Sequence, residues 1–179
     1  MKIPVLALCL ALSAAAQNPL MQAFTPRYNT MKQNLVEAAD AMPAEHYTFK
    51  LSPAQRAFSE WIDHTIMLMH GSCATIAGVP TPPMDHSKHG PGKPKSELLA
   101  ALREAADSCD KSLNGMSDQK ALATVDVGGK PTVPVNAMLG LLTNMASHYG
   151  NMVGYLRAKN VTPPSTARGQ APRTPAPAK

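Results

Sequence analysis

Two residues one helical turn apart, Asn144 and His148, are the clearest candidates for chemistry in this sequence. They lie in the segment NMASHYGNMVGYLRAKNVTPPS, an apolar stretch whose pattern predicts a helix that stops before two prolines. Residues at positions i and i+4 share one face of an α-helix, so both side chains can enter one pocket. This spacing is typical of half a metal site, and the other half has to come from another element.

His64 is the candidate for that other half. It lies in WIDHTIMLMH, three residues after Trp61, and we expect it at the edge of the buried stripe of its helix. Two histidines on different helices can share a divalent ion in the interior of a bundle. A catalytic zinc site, however, uses three protein ligands and one open position. No Ser-His-Asp or Cys-His nucleophile arrangement stands out, so no catalytic residue is assigned.

Four long helical patterns position these residues, and no segment shows the alternation of a β-strand. Apolar residues recur at three- and four-residue steps, which predicts an all-α four-helix bundle. Ser52 and Pro53 predict a helix start, with the serine as the N-cap and the proline at the first helical position. The patterns run from Phe24 to Met42, from Ser52 to Gly78, from Leu98 to Asn114, and from about Thr132 to Asn160.

The ends of the chain and one internal segment differ from this pattern. Residues 1–16 have the short positive start, apolar run and small-residue end of a signal peptide, which predicts an exported protein, periplasmic or secreted, without a membrane span after cleavage. Residues 17–166 are predicted to form the bundle. Residues 79–95 form a flexible loop rich in proline, glycine and lysine, whose segment Met84–His89 would bind metals only loosely. Residues 167–179 are predicted to be a disordered basic tail.

The charge distribution argues against nucleic-acid binding, although the sequence pI is near 9.2. The excess of basic residues lies in the signal peptide, the 79–95 loop and the tail, which leaves the bundle itself close to neutral. A nucleic-acid-binding domain needs a clustered basic face. The sequence of the predicted bundle shows no such cluster of basic residues.

Removal of the signal peptide leaves two cysteines, Cys73 and Cys109, in an oxidising compartment. Both fall on the apolar stripes of their helices, the second and the third. A disulfide between neighbouring helices is the first interpretation, and two separate buried thiols that pack as small apolar groups are the alternative.

Two segments, RAFSEWIDHTIMLMHGSC and HYGNMVGYLRAKNVTPPS, resemble the DinB-like superfamily, especially its exported members. The resemblance covers nearly the whole mature chain. It implies a four-helix bundle with a three-histidine site for a divalent metal such as zinc or nickel. One histidine comes from the second helix, and two that are four residues apart come from the last. Relatives include metal-dependent enzymes such as thiol transferases and a thiol-dependent isomerase.

The resemblance places His64 at the ligand of the second helix and His148 at the second ligand of the last helix. Asn144 stands where relatives have the first ligand of that helix, and an amide oxygen is a poor ligand for zinc or nickel. The residue before His148, often acidic in relatives, is Ser147 here.

Two functions follow from this departure. The first is an exported bundle protein of unassigned activity whose metal pocket is altered or degenerate, with a small molecule in the bundle cavity as a candidate ligand. The alternative is an active metal-dependent hydrolase or thiol transferase that uses His64 and His148. The choice between a monomer and a homodimer stays open.

Overall fold

The structure is a computed structural model that describes residues 18–83, 90 and 92–170. Four long helices form the predicted bundle. Two short helices, a single turn of 3-10 helix and a two-stranded hairpin complete the described part of the chain. The elements are α1 Pro19–Ala41, the 3-10 turn Ala44–His46, α2 Phe58–Ile76, α3 Lys95–Leu113, α4 Asp118–Leu122, β1 Val125–Val127, β2 Lys130–Thr132, α5 Pro134–Ala158 and α6 Pro164–Gln170.

The helix directions follow from contacts between helix ends. The Nζ of Lys95 donates to the carbonyl of Met42 at 3.0 Å, so α3 begins where α1 ends. A disulfide joins Cys73 and Cys109, whose Cα atoms are 5.1 Å apart. Because each cysteine lies near the C-terminal end of its helix, α2 and α3 are parallel. The Tyr155 hydroxyl donates to a carbonyl just before α2, so the end of α5 lies beside the start of α2. We call the end at which α2 and α3 begin the upper end, and the opposite end the lower end.

The apolar stripes predicted from spacing form one core between the four long helices. On α3 the buried positions include Leu98, Leu102, Ala105 and Cys109, at steps of four, three and four residues. That periodicity keeps one helix face towards the core along its whole length. Among the described residues, no helix is long and apolar enough to cross a membrane.

The start of α2 corrects the sequence prediction, because the helix begins at Phe58 and not at Ser52. Residues around Ser52 form a turn, and the preceding loop folds back over the first turn of the helix. The amides of Phe58 and Ser59 donate to the carbonyls of Phe49 and Tyr47 at 3.0 and 2.8 Å. The loop therefore satisfies the free amides of the helix start, a role that local capping residues would otherwise have.

Residues 125–132 also differ from the prediction, which expected no strand. β1 and β2 pair antiparallel, with Val125 opposite Thr132. Gly128 and Gly129 connect them with φ angles of +61° and +83°. Positive φ at both central positions is required by the hairpin turn that matches strand twist, and glycine adopts it without strain.

The beginning of the predicted tail is likewise helical, because α6 continues to Gln170. The Tyr149 hydroxyl donates to Ser165 Oγ at 2.7 Å, and the Arg168 guanidinium bonds to Glu37 and Asn34 of α1. These contacts fix residues 167–170, which were predicted to be disordered. Residues 1–16, 84–89 and 171–179 lie outside the described residues, so the signal peptide, the loose metal segment and the rest of the tail stay predictions.

Candidate metal centre

His64 and His148 lie side by side between α2 and α5, in the upper half of the bundle. Their ring centroids are 4.9 Å apart and the ring planes are inclined by 40°. His148 is 4% exposed, whereas His64 is half-buried. The structure therefore brings together the two histidines that the sequence analysis placed on different helices.

Thr65 determines which nitrogen of His148 carries the proton. The Thr65 hydroxyl donates its single hydrogen to the carbonyl of Trp61 at 2.7 Å. Its oxygen lies 3.1 Å from His148 Nδ1, so it accepts a hydrogen bond from the Nδ1–H group. The Nε2 nitrogen of the neutral ring then keeps its lone pair. Metal-ligating histidines commonly have this arrangement, with the second nitrogen bonded to an acceptor that orients the ring.

Both imidazoles are held in the neutral form. Burial lowers the pKa of His148 to about 4, and the neighbouring His64 and Arg56 add to this effect. Burial also lowers the pKa of His64, as does Arg56, while Asp63 acts in the opposite direction. At neutral pH both rings are therefore available as ligands without first losing a proton.

Trp61 and Tyr155 form the wall of the site towards the upper end. The Trp61 ring lies 5.4 Å from the His148 ring, centroid to centroid. Its indole Nε1 donates to the Tyr155 hydroxyl at 3.3 Å, and that hydroxyl donates to the carbonyl of Arg56. The Arg56 guanidinium carbon lies 5.2 Å from the centre of the Trp61 ring. The loop before α2 is thereby fixed against both helices that carry the histidines.

Asn144 lies one turn before His148, as predicted, but its side chain is exposed and engaged with its own helix. Its Nδ2 donates to the carbonyl of Gly140 at 2.8 Å. Only the amide oxygen is left to act as a ligand. Within the described ranges, no group of three His, Cys, Asp or Glu side chains is placed to hold a metal.

The order and packing of the four long helices define the class of protein. Two solved structures of DinB-like proteins share this fold, one from Bacillus cereus ATCC 10987 and one from Bacillus subtilis. The first has a TM-score of 0.64 and 14% sequence identity, over 80% of this chain and 95% of that chain. The second has a TM-score of 0.63 and 14% identity, over 78% and 94%. No protein-family model and no curated protein matches the chain.

The chain therefore has a DinB-like fold, which confirms the fold expected from the resemblance. At 14% identity the likeness shows the fold alone. Evidence about a metal must come from the residues themselves. His148 fits a ligand role because its Nδ1 proton is fixed by Thr65. Asn144 fits poorly because its amide group bonds to Gly140.

Two residues of the site, Thr65 and Arg56, were not singled out in the sequence as site residues. Thr65 follows His64 directly, so its position on the helix was visible, but its contact with a residue 83 positions later was not. Arg56 lies before α2 in a loop whose path depends on Tyr155, 99 positions away. Only the assembled bundle brings these groups together.

Proposed function

We propose that the chain is a bundle protein that binds a divalent transition-metal ion, zinc or nickel, through His64 and His148. Asn144 serves as a weak third ligand, in an altered form of the three-histidine site that the resemblance implies. The observation that carries the proposal is the hydrogen bond from His148 Nδ1 to Thr65, which leaves Nε2 available next to the half-buried His64.

The ligand set favours binding over catalysis. Two imidazoles and a neutral amide oxygen hold zinc or nickel less tightly than three imidazoles do. The Asn144 amide would also give up its bond to Gly140 if it turned towards the ion. We therefore infer that the site has a low affinity for zinc or nickel. Its role is to bind the ion within the bundle and not to turn over a substrate.

A metal-dependent hydrolase or thiol transferase is the second candidate. The small number of protein ligands favours this candidate, because such a site leaves coordination positions open for a substrate. A divalent ion would supply Lewis-acid activation of a water molecule or a thiol. The residues of this chain would orient that ion through His148 and its bond to Thr65.

Metal analysis of the purified mature protein tests the proposal. Wild type, Asn144→His and His148→Ala are titrated with zinc or nickel by calorimetry, then dialysed and analysed for bound ion per chain. We expect wild type to bind one ion weakly in the titration and to lose it during dialysis, Asn144→His to retain one ion, and His148→Ala to bind none in the titration. His46→Ala, which removes a histidine from the 3-10 turn, serves as the matched control and should behave as wild type.

Two results would contradict the proposal. If wild type binds no ion in the titration, the histidine pair is a polar part of the core and not a metal pocket, and failure of Asn144→His to retain an ion would support the same conclusion. If wild type retains one ion per chain and His148→Ala loses it, the site is complete as it stands. That result would favour the enzyme candidate.

A further inference from the structure

The outer side of α5, which carries Leu139, Ala146 and Gly150, is exposed to solvent but has no charge. Residues 131–156 contain no Asp, Glu, Lys or Arg, and they include nearly all of α5. The exposed face of a helix normally carries charged residues, as α3 does along its whole length. Depletion of charge is instead typical of the centre of a protein–protein interface.

An apolar cleft of about 360 Å³ lies between α1 and the outer side of α5. Its lining residues are Pro26, Arg27, Thr30, Met31, Leu142 and Ala146. The one charged group among them, the Arg27 guanidinium, donates to the carbonyl of Ala23 in its own helix at 2.7 Å. Leu139, three residues before Leu142, is 53% exposed. Residues three and four apart share a helix face, so Leu139 extends the apolar surface of the cleft along α5.

A glycine on the same side of α5 has no explanation within the chain. Glycine is unfavourable inside a helix compared with alanine. A Cβ at Gly154 would lie 3.3 Å from the Leu51 side chain, which accounts for that glycine. A Cβ at Gly150 would meet no atom of the described residues within 4 Å. Close approach of a second helix from outside the chain would account for Gly150, because glycine lets two backbones come near each other.

We propose that the cleft and the outer side of α5 form the contact surface of a reversible homodimer. In a twofold dimer the same surface lies on both sides, so a charged group near the axis meets its own like charge. The charge-free side of α5 avoids this repulsion and is complementary to itself. A twofold axis between Leu142 and Thr143 pairs two antiparallel α5 helices and places Leu139 of one copy opposite Ala146 of the other. The exposed leucine of each copy then fills the cleft of its partner.

The size of the surface decides that the dimer is weak. α6 covers the groove above the cleft, because Ser165 bonds to Tyr149 and Arg168 bonds to α1. The outer side of α5 from Asn136 to Gly150 is about 21 Å long. With the width of two packed helices, about 20 Å, it offers about 400 Å² per chain. Stable interfaces use roughly 800 Å² per partner, so association should be reversible and depend on concentration.

Sedimentation velocity of the full mature chain at increasing protein concentration tests the proposal. Wild type should be monomeric at low concentration and partly dimeric at high concentration. Leu139→Glu and Ala146→Lys each place a charge in the contact and should raise the dissociation constant at least about tenfold. Met67→Glu, which changes a 39% exposed side chain on α2, is the matched control and should associate as wild type does. Thermal unfolding of dilute samples checks that every variant is folded.

Two further samples separate the dimer contact from a general loss of stability. A mixture of Leu139→Glu with Ala146→Lys should associate again, because the new carboxylate of one chain faces the new ammonium group of the other. Gly150→Ala should raise the melting temperature of the dilute monomer, since alanine favours the helix and has room within the chain. The same substitution should weaken association, because its methyl group keeps the two helices apart.

Wild type that stays monomeric at every concentration would overturn the proposal. Dimerisation that appears only after removal of residues 171–179 would overturn the choice of a second copy, since the tail would then be the occupant of the cleft. Wild-type association of both charged variants would place the contact on another surface and contradict the proposal. A mixture of folded variants that stays monomeric would contradict the pairing of Leu139 with Ala146. None of these results depends on whether the histidine pair binds a metal.

Discussion

At the lower end of the bundle the polar side chains bond to one another, whereas in the upper half the bond of His148 Nδ1 to Thr65 leaves a lone pair on Nε2 of the neutral ring. Asp110 accepts from the Tyr28 hydroxyl at 2.9 Å and from Lys32 Nζ at 2.8 Å. Asp118 accepts from the first amides of α1 at 2.9 and 3.0 Å. Groups that complete each other in this way stabilise the fold. A group that retains a lone pair, as His148 does, is available to a ligand.

Burial acts in opposite ways on the titratable groups of the two regions. At the lower end it raises the pKa of Tyr28, and the neighbouring Asp110 raises it further. The phenol therefore stays a hydrogen-bond donor to that carboxylate. In the upper half burial lowers the pKa of His148 to about 4, which keeps the imidazole neutral. The first shift preserves a bond within the protein, while the second preserves a lone pair that the fold does not use.

The disulfide should give the largest difference between the two regions. Cys73 and Cys109 are 36 positions apart and fully buried at the lower end. Replacement of both by alanine should lower the free energy of unfolding by about 3 to 4 kcal/mol, because the unfolded chain regains the entropy of that loop. Urea unfolding of the oxidised wild type and the double variant measures the loss.

The same variant tests whether the two regions are independent. Its Trp61 indole signal should stay where it is in wild type, because the disulfide lies at the far end of α2. Reduced wild type is the control and should be destabilised to the same extent. A stability loss of less than about 1 kcal/mol would mean that the bridge adds little beyond the packing of α2 against α3.

The second prediction concerns the pH dependence of stability in the upper half. His148 has a pKa of about 4 in the folded protein, below the value of about 6.5 for an unfolded chain. Between these values the unfolded state binds more protons, so stability falls as the pH is lowered. For one histidine the loss between pH 7 and pH 5 is about 2 kcal/mol.

Urea unfolding at a series of pH values measures this effect. His148→Gln should lose about 2 kcal/mol less than wild type between pH 7 and pH 5, whatever its stability at pH 7. Asn144→Gln, an exposed substitution one turn earlier on α5, is the control and should keep the wild-type dependence. If wild type and His148→Gln show the same pH dependence, the buried ring does not titrate as inferred.

The bundle could be predicted from the sequence because its evidence is local. Helical spacing on α3 and the pairing of Cys73 with Cys109 depend on periodicity and on residue type, which the sequence shows directly. The start of α2 was mispredicted because its amides are satisfied by Phe49 and Tyr47 of the folded-back loop. Ser52 and Pro53 carry the local start signal, but tertiary hydrogen bonds overrule it.

The candidate site also contains residues that could be predicted from the sequence and residues that could not. His64 and His148 could be chosen from their positions on apolar helix faces, and their ring contact at 4.9 Å depends only on which faces meet. Thr65 and Arg56 could not be chosen, because their roles depend on contacts across 83 and 99 positions of the chain. Spacing identifies the groups that can act as ligands, while the partners that orient them emerge only from packing.

The third prediction has the smallest effect on stability and tests the orienting role of Thr65 directly. Thr65→Val keeps the shape of the side chain but removes the acceptor of the His148 Nδ1–H bond, which should cost about 1 kcal/mol of stability. Affinity for zinc or nickel should fall by about tenfold or more, since the ring is no longer held in one tautomer. Thr75→Val is the matched control, because its hydroxyl makes the same type of bond, to Gly71 at 3.0 Å, on the same helix. Nitrogen-15 NMR of the histidine rings reads the tautomer without metal. If both variants leave His148 protonated at Nδ1, Thr65 does not set the tautomer, and the argument that Nε2 is kept free for a ligand fails.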